Sequence, residues 1–173
     1  METRTYDWFS ERVHDYIRDY IRLADEKAAF VFGAAVAAGA VVYRLGPSLN
    51  WVGDLSSWTG SGLGEVLGLV FLALAAGSAI VVVIPRLRGS RAGLIFWQAI
   101  AERENASEYA AEVKLRSAEE LEEELIRHCY DLAVICKRKY RWLSVSFWSA
   151  IVGLLISISY VVLATPSSGR AVP

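Results

Sequence analysis

From Ser117 to Ala164 the chain reads SAEELEEELIRHCYDLAVICKRKYRWLSVSFWSAIVGLLISISYVVLA. This stretch opens acid-rich and amphipathic, crosses the cationic cluster Lys137-Arg138-Lys139-Tyr140-Arg141, and continues as Leu143–Ala164, a segment too apolar for water. Ser117 with Glu120 three residues on forms a capping box, which gives a helix a defined start. Apolar positions then recur at Leu121, Leu125, Cys129, Leu132, Cys136, Tyr140 and Leu143. Steps of three and four draw one buried stripe. Neither Pro nor Gly intervenes before Gly153, and Pro166 ends the pattern. The expectation is one rod that joins a polar surface to a bilayer, and no other element shows a pattern unbroken from cytosol into membrane.

Two further apolar blocks, Ala28–Tyr43 and Val66–Ile84, precede it. At about 1.5 Å per residue the three blocks reach about 24, 28 and 33 Å, against a hydrocarbon core of roughly 30 Å. The first is short, but Leu23-Ala24 and Leu45 extend it. Buried core helices are the competing reading, yet 173 residues leave no soluble core to bury three such segments. The expected fold is therefore an all-α integral membrane protein. It has three transmembrane helices, an N-terminal amphipathic helix, and a cytosolic helical hairpin between the second and third spans. The expected divisions are 1–27 (amphipathic helix), 28–84 (a hairpin with spans 28–45 and 66–84), 85–142 (cytosolic), 143–164 (third span) and 165–173 (external tail).

All of the 18 Lys and Arg except Arg44 and Arg170 fall in the first 27 residues or between the second and third spans. That bias places the N-terminus and the long middle segment in the cytoplasm, and the C-terminus outside the inner membrane. Acidic residues share the same segments and mask the asymmetry in the net charge of −1. The charged first 27 residues do not read as a cleavable signal peptide. Cys129 and Cys136 stand about 10 Å apart along one helix, too far for a disulfide, and are expected as reduced core thiols.

Residues 4–26 pattern as an amphipathic helix with Phe9, Val13, Tyr16, Ile17, Tyr20 and Ile21 on one face. Its mixed charges favour a protein partner, the central helix, over lipid headgroups. Small residues four apart, at Ala35/Gly39, Gly64/Gly68, Ala73/Gly77 and Ser149/Gly153, would let helix backbones approach closely. Homo-oligomers are expected, with Ala35/Gly39 and Gly64/Gly68 as contacts. Glu65 reads as lying at the external boundary, outside the apolar blocks. With no charge inside the spans, a proton relay or charge-coupled transporter is not expected.

An enzyme is not expected either. His14 has no His or Cys at i±3 or i±4, and His128 and Cys129 are adjacent rather than spaced as metal ligands. Hydrolase, zinc-protease and dinucleotide motifs are absent from the sequence. Glu119, Glu120 and Glu122 to Glu124 read as a solvated face that suits the helix N-terminus. A helix opened by Ser107 is expected to pair antiparallel with the central one. What remains is a cationic collar at the inner membrane face. Arg86, Arg88 and Arg91 leave the second span; Lys137, Arg138, Lys139 and Arg141 enter the third, near Phe96, Trp97 and Tyr140. Such a collar could hold a phosphate and stack a base, although anionic lipid alone would also explain the charges. The candidate ligand residues are Arg86, Arg88, Phe96, Trp97, Lys139 and Tyr140. Asp25, Lys27, Arg138 and Arg141 are candidates for membrane-boundary coupling.

Several short pieces, in order, resemble a known family. They are Ala24-Asp25-Glu26-Lys27-Ala28 at the first span and Pro85-Arg86-Leu87 after the second. Gly93-Leu94-Ile95-Phe96-Trp97 and Ser107-Glu108-Tyr109 follow, then Ile135 leading to Lys139-Tyr140-Arg141 before the last span. The set, over roughly residues 20–164, is similar to the transmembrane effector of the pyrimidine-cyclase antiphage system, Pycsar. The resemblance implies a membrane effector that senses a cyclic pyrimidine mononucleotide, cCMP or cUMP, made by a partner cyclase. It further implies impairment of the inner membrane and abortive infection. No cofactor, metal or nucleic-acid polymer is expected; the partners are the lipid bilayer, the nucleotide messenger and further copies of the chain. The alternative is a membrane scaffold whose cytosolic hairpin docks another protein.

Overall fold

Ser117 Oγ accepts the Glu120 amide at 3.2 Å, and the Glu120 carboxylate accepts the Ser117 amide at 2.9 Å. The capping box thus satisfies two donors that a helix start leaves orphaned, and α5 (Ala118–Ala164) runs from it without a break. The structure, a computed structural model, describes residues 3–45, 60–84 and 93–164. Among these the elements before α5 are α1 (Thr3–Leu45), α2 (Gly60–Val83), α3 (Trp97–Ala101) and α4 (Ala106–Lys114), with no strand. Helices α1, α2 and α5 are each long and apolar enough to cross a membrane.

α1 corrects the expectation that the central helix alone is unbroken. Its amphipathic part and its apolar part form one helix of 43 residues. Asp25-Glu26-Lys27 contains neither Pro nor Gly, so the change of polarity alters what the helix meets and leaves its hydrogen-bond ladder intact.

The chain divides into two compact units, at Ala24/Asp25 in α1 and at Tyr140/Arg141 in α5. The polar unit takes Met1–Ala24 and Ile84–Tyr140. In it, α1 packs on α5: the Cys129 thiol donates to Ser10 O at 3.8 Å, and Tyr140 Oη donates to Tyr20 O at 3.5 Å. α5 thus meets this part of α1, while Phe9, Tyr16 and Tyr20 of the expected apolar face stay exposed. Asn105, not Ser107, caps α4; its side chain accepts the Glu108 amide at 2.9 Å. Ser107 instead lies in the first turn. Arg103 ties α4 back to the end of α3 through Glu112 at 2.8 Å. Both cysteines are free thiols, Cys129 buried and Cys136 half-buried.

The apolar unit takes Asp25–Val83 and Arg141–Pro173. Ala35, Val42, Leu72 and Ala75 form its core, with Ala38, Leu69, Ala76 and Ala150 against them. Small residues there bring backbones together. A Cβ on Gly153 would stand 3.0 Å from Leu72 N and 3.2 Å from Gly68 O, and one on Gly68 would meet Ser157 Oγ at 2.5 Å. Ser146 Oγ donates to Ala75 O at 2.7 Å across the same α2–α5 contact. Phe30, Val70 and Leu155 project outward, more than half exposed, as lipid-facing side chains do.

Glu65, expected at the external boundary, is the third residue of the apolar stretch Leu63–Val83. It lies inside α2 and is 2 % exposed. Helix α2 begins at Gly60, and on its early turns Gly64 and Glu65 meet Tyr160 of α5.

Candidate ligand site in the polar unit

Gly93 has φ +150°, a conformation that a side chain would strain, and a Cβ there would stand 2.7 Å from Glu124 Oε1. The glycine lets the segment before α3 lie directly over α5. Glu124 accepts the Leu94 amide, and Tyr109 Oη donates to Leu94 O at 2.8 Å. Leu94 is thereby held from both sides and is buried. Phe96, extended at φ −76° and ψ 123°, is the N-cap of α3 and packs near Trp97, ring centroids 5.9 Å apart.

Between this segment and α5 lies a cleft of about 580 Å³. Ile95, Phe96, Leu132 and Ile135 give it apolar walls; Arg116, Glu120, Glu123, Glu124, Arg127, His128 and Asp131 give it charge. The volume is that of a small-ligand pocket, about 300–1,000 Å³. Arg116 pairs with Glu120 at 3.7 Å and Arg127 with Glu123 at 3.1 Å. Both are exposed pairs one helical turn apart, so exchanging the carboxylate for a ligand anion costs little. An arginine that gains a phosphate makes the stronger, charge-assisted contact. The carboxylates suit a donor such as an exocyclic amine or a ribose hydroxyl.

His128 joins this cleft to α1. Its ring stands 5.6 Å from that of His14, centroid to centroid. Burial holds the His128 imidazolium below the ordinary value of 6.5, and His14 adds to the effect; Asp131 and Glu124 oppose it. No cluster of three or more metal-ligating side chains occurs among the described residues.

Among the described residues, the sequence-derived candidates do not all meet at the cleft. Arg86 and Arg88 lie outside the described residues. Phe96 lines the cleft, whereas Trp97 is 59 % exposed beside it. Tyr140 faces Tyr20 of α1, with ring centroids 6.0 Å apart, and Lys139 beside it is half-buried. Of the coupling candidates, Arg138 is an exposed residue of the polar unit, while half-buried Asp25 and exposed Lys27 and Arg141 belong to the apolar one. Sequence reasoning missed Arg116, Glu124, Arg127 and His128. It read the glutamates as one solvated face, but Glu124 is half-buried beneath Gly93. His14 and His128 are far apart in sequence and no spacing rule pairs them. Gly93 was the available signal, a lone glycine before an apolar run.

Three helices able to cross a membrane fit a multi-pass membrane protein, and the polar unit carries a cleft of small-ligand size. The Pycsar effector protein domain matches residues 9–165, and the chain belongs to that family. Among curated proteins and among solved structures nothing matches it. Membership makes the chain a transmembrane effector in antiphage defence, and the family implies a cyclic nucleotide signal from a partner cyclase.

Proposed function

We propose that the chain is activated by a cyclic pyrimidine nucleotide, cCMP or cUMP, from a partner cyclase, and that it then impairs the bacterial inner membrane so that the infected cell dies. It acts without catalysis, as an oligomer, with its N-terminus and polar unit in the cytoplasm and its C-terminus outside. The observation that carries this reading is the sharing of α1 and α5. Each gives one length to the unit with the cleft and another to the apolar unit.

In this reading the cyclic phosphate replaces Glu120 and Glu123 on Arg116 and Arg127, and the base stacks on Phe96. The released carboxylates take the ribose hydroxyl and, for a cytosine, the exocyclic amine. Arg86, Arg88, Lys139 and Tyr140 serve the inner-leaflet boundary rather than the base. A ligand held more tightly in one arrangement of the shared helices shifts the population toward it, and a tenfold preference supplies about 1.4 kcal/mol. Several bound copies therefore act together.

Calorimetry on the detergent-purified full chain tests the site. Wild type should bind cCMP or cUMP, and Arg127→Ala and Phe96→Ala should each weaken binding about tenfold or more, with loss of nucleotide-dependent depolarisation in cells. Binding unchanged in both variants would remove the ligand from this cleft. No binding by wild type would favour the scaffold reading, which the exposed Leu115, Ile126 and Tyr130 of the polar unit also suit.

A further inference from the structure

Glu65 and Ser157 are both nearly sealed in the apolar unit, at 2 % and 3 % exposure. Tyr160 Oη donates to Glu65 Oε2 at 3.1 Å. Glu65 Oε1 and Ser157 Oγ have no hydrogen-bond partner among the described residues. The two orphans belong to consecutive turns of one helix contact: Gly64 of α2 faces Tyr160, and Gly68, one turn on, faces Ser157. Gly68 brings the α2 backbone directly against Ser157, where a Cβ would stand 2.5 Å from Oγ.

A carboxylate buried in an apolar span with one hydrogen bond is expensive, and so is a hydroxyl with none. Hard oxygen donors of this kind, one anionic and one neutral, match the ligands that alkali cations take. A cation taken by Glu65 Oε1 would neutralise the charge, and Ser157 Oγ, one turn away on the same contact, offers a neutral donor. Tyr160 would keep the carboxylate oriented by holding its other oxygen.

We propose that Glu65 and Ser157 form a binding site for a monovalent alkali cation within the membrane-spanning unit, with Tyr160 as its positioning residue. Resting on the effector reading, the proposal makes membrane impairment a flow of cations past Glu65. The site itself exists with or without the nucleotide.

The test uses the full chain in nanodiscs without nucleotide. Replacing N-methylglucamine chloride by NaCl or KCl at constant ionic strength should raise Tm by about 3 °C or more, the scale expected for a chain of this size at several times Kd. Glu65→Gln and Ser157→Ala should each abolish the rise. Tyr160→Phe, which leaves both orphan oxygens in place, should retain a reduced one. Equal Tm in all three chlorides, or a full rise in Glu65→Gln, overturns the site. Should Glu65→Gln fail to fold, Ser157→Ala decides alone. A second measurement addresses conduction: with nucleotide added, wild-type proteoliposomes should pass K⁺ over Cl⁻ and Glu65→Gln should lose that preference. Nucleotide-independent Tm shifts without any leak would retain the cation site and overturn the effector reading instead.

Discussion

At the scale of residues, His128 gives the polar unit a pH dependence whose sign is fixed. Its proton is held less tightly in the folded chain than at the ordinary value of 6.5, through burial and then His14 on α1, with Asp131 and Glu124 of α5 pulling the other way. As pH falls through that value the unfolded chain binds the proton first. Stability is complete above it, declines down to the folded-state value, and changes no further below. As pH falls through about 6.5, hydrogen-exchange protection factors around Ser10–Ile17, corrected for the slower intrinsic exchange at lower pH, should therefore fall, and His128→Gln should remove most of the loss. A slope unchanged in that variant would assign the effect to the carboxylates. Glycines provide a second residue-scale expectation. Gly153→Ala places a methyl against backbone atoms of Leu72 and Gly68, and should cost about 1–3 kcal/mol of thermal stability in detergent. Gly77→Ala meets nothing within 4 Å and should be neutral or gain up to about 1 kcal/mol.

At the scale of elements, the start of α5 was legible because a capping box is a local device: Ser117 and Glu120 recognise each other across three residues whatever lies elsewhere. Its continuity was legible from the stripe and from the lack of breakers. α1 was harder to read, since the change of polarity at Asp25-Glu26-Lys27 resembles a boundary while leaving the backbone free to continue. The cap of α4 slipped by two positions because Asn105 and Ser107 are both good caps and only the three-residue reach to Glu108 separates them. The burial of Glu65 was not legible for a further reason. A block drawn by hydropathy stops at the first charge, whereas the helix and its Tyr160 partner do not. Two outcomes are expected at this scale. Ser117→Ala should cost about 1 kcal/mol and speed exchange in the first turn of α5. A Gly-Pro insertion after Tyr140 should leave nucleotide affinity within about threefold while abolishing depolarisation, since Pro and Gly break a helix interior. Depolarisation that survives the insertion would show that α5 is not the transmitter, and α1 would be tested next with an insertion after Ala24.

For the whole molecule, the small-residue pairs separate by use. Gly64, Gly68 and Gly153 are consumed inside the chain, whereas Gly39 and Gly77 face open space. Contacts between copies are therefore expected at Gly39 and Gly77 and not at Gly64/Gly68. Native mass spectrometry should show more than two chains per assembly with nucleotide present. Gly39→Leu and Gly77→Leu should lower that number without lowering Tm, and only monomers in wild type would defeat the expectation. The orientation has its own check: a short epitope after Pro173 should be reached by antibody on intact spheroplasts. The cleft was the least legible part of the molecule. Arg116 precedes α5, and Arg127 and His128 look like ordinary surface residues of that helix until Gly93 lays a second segment across it.

The burial of Cys129 under Ser10 has a practical corollary. Its thiol is 7 % exposed, and burial pushes it above the ordinary cysteine value, so alkylating reagents meet little thiolate and less access. Modification at this position must wait for α1 to lift from α5. The rate of alkylation in living cells is then a stopwatch for that separation, built into the native chain, and comparing it before and after infection would show whether α1 leaves α5 during the response.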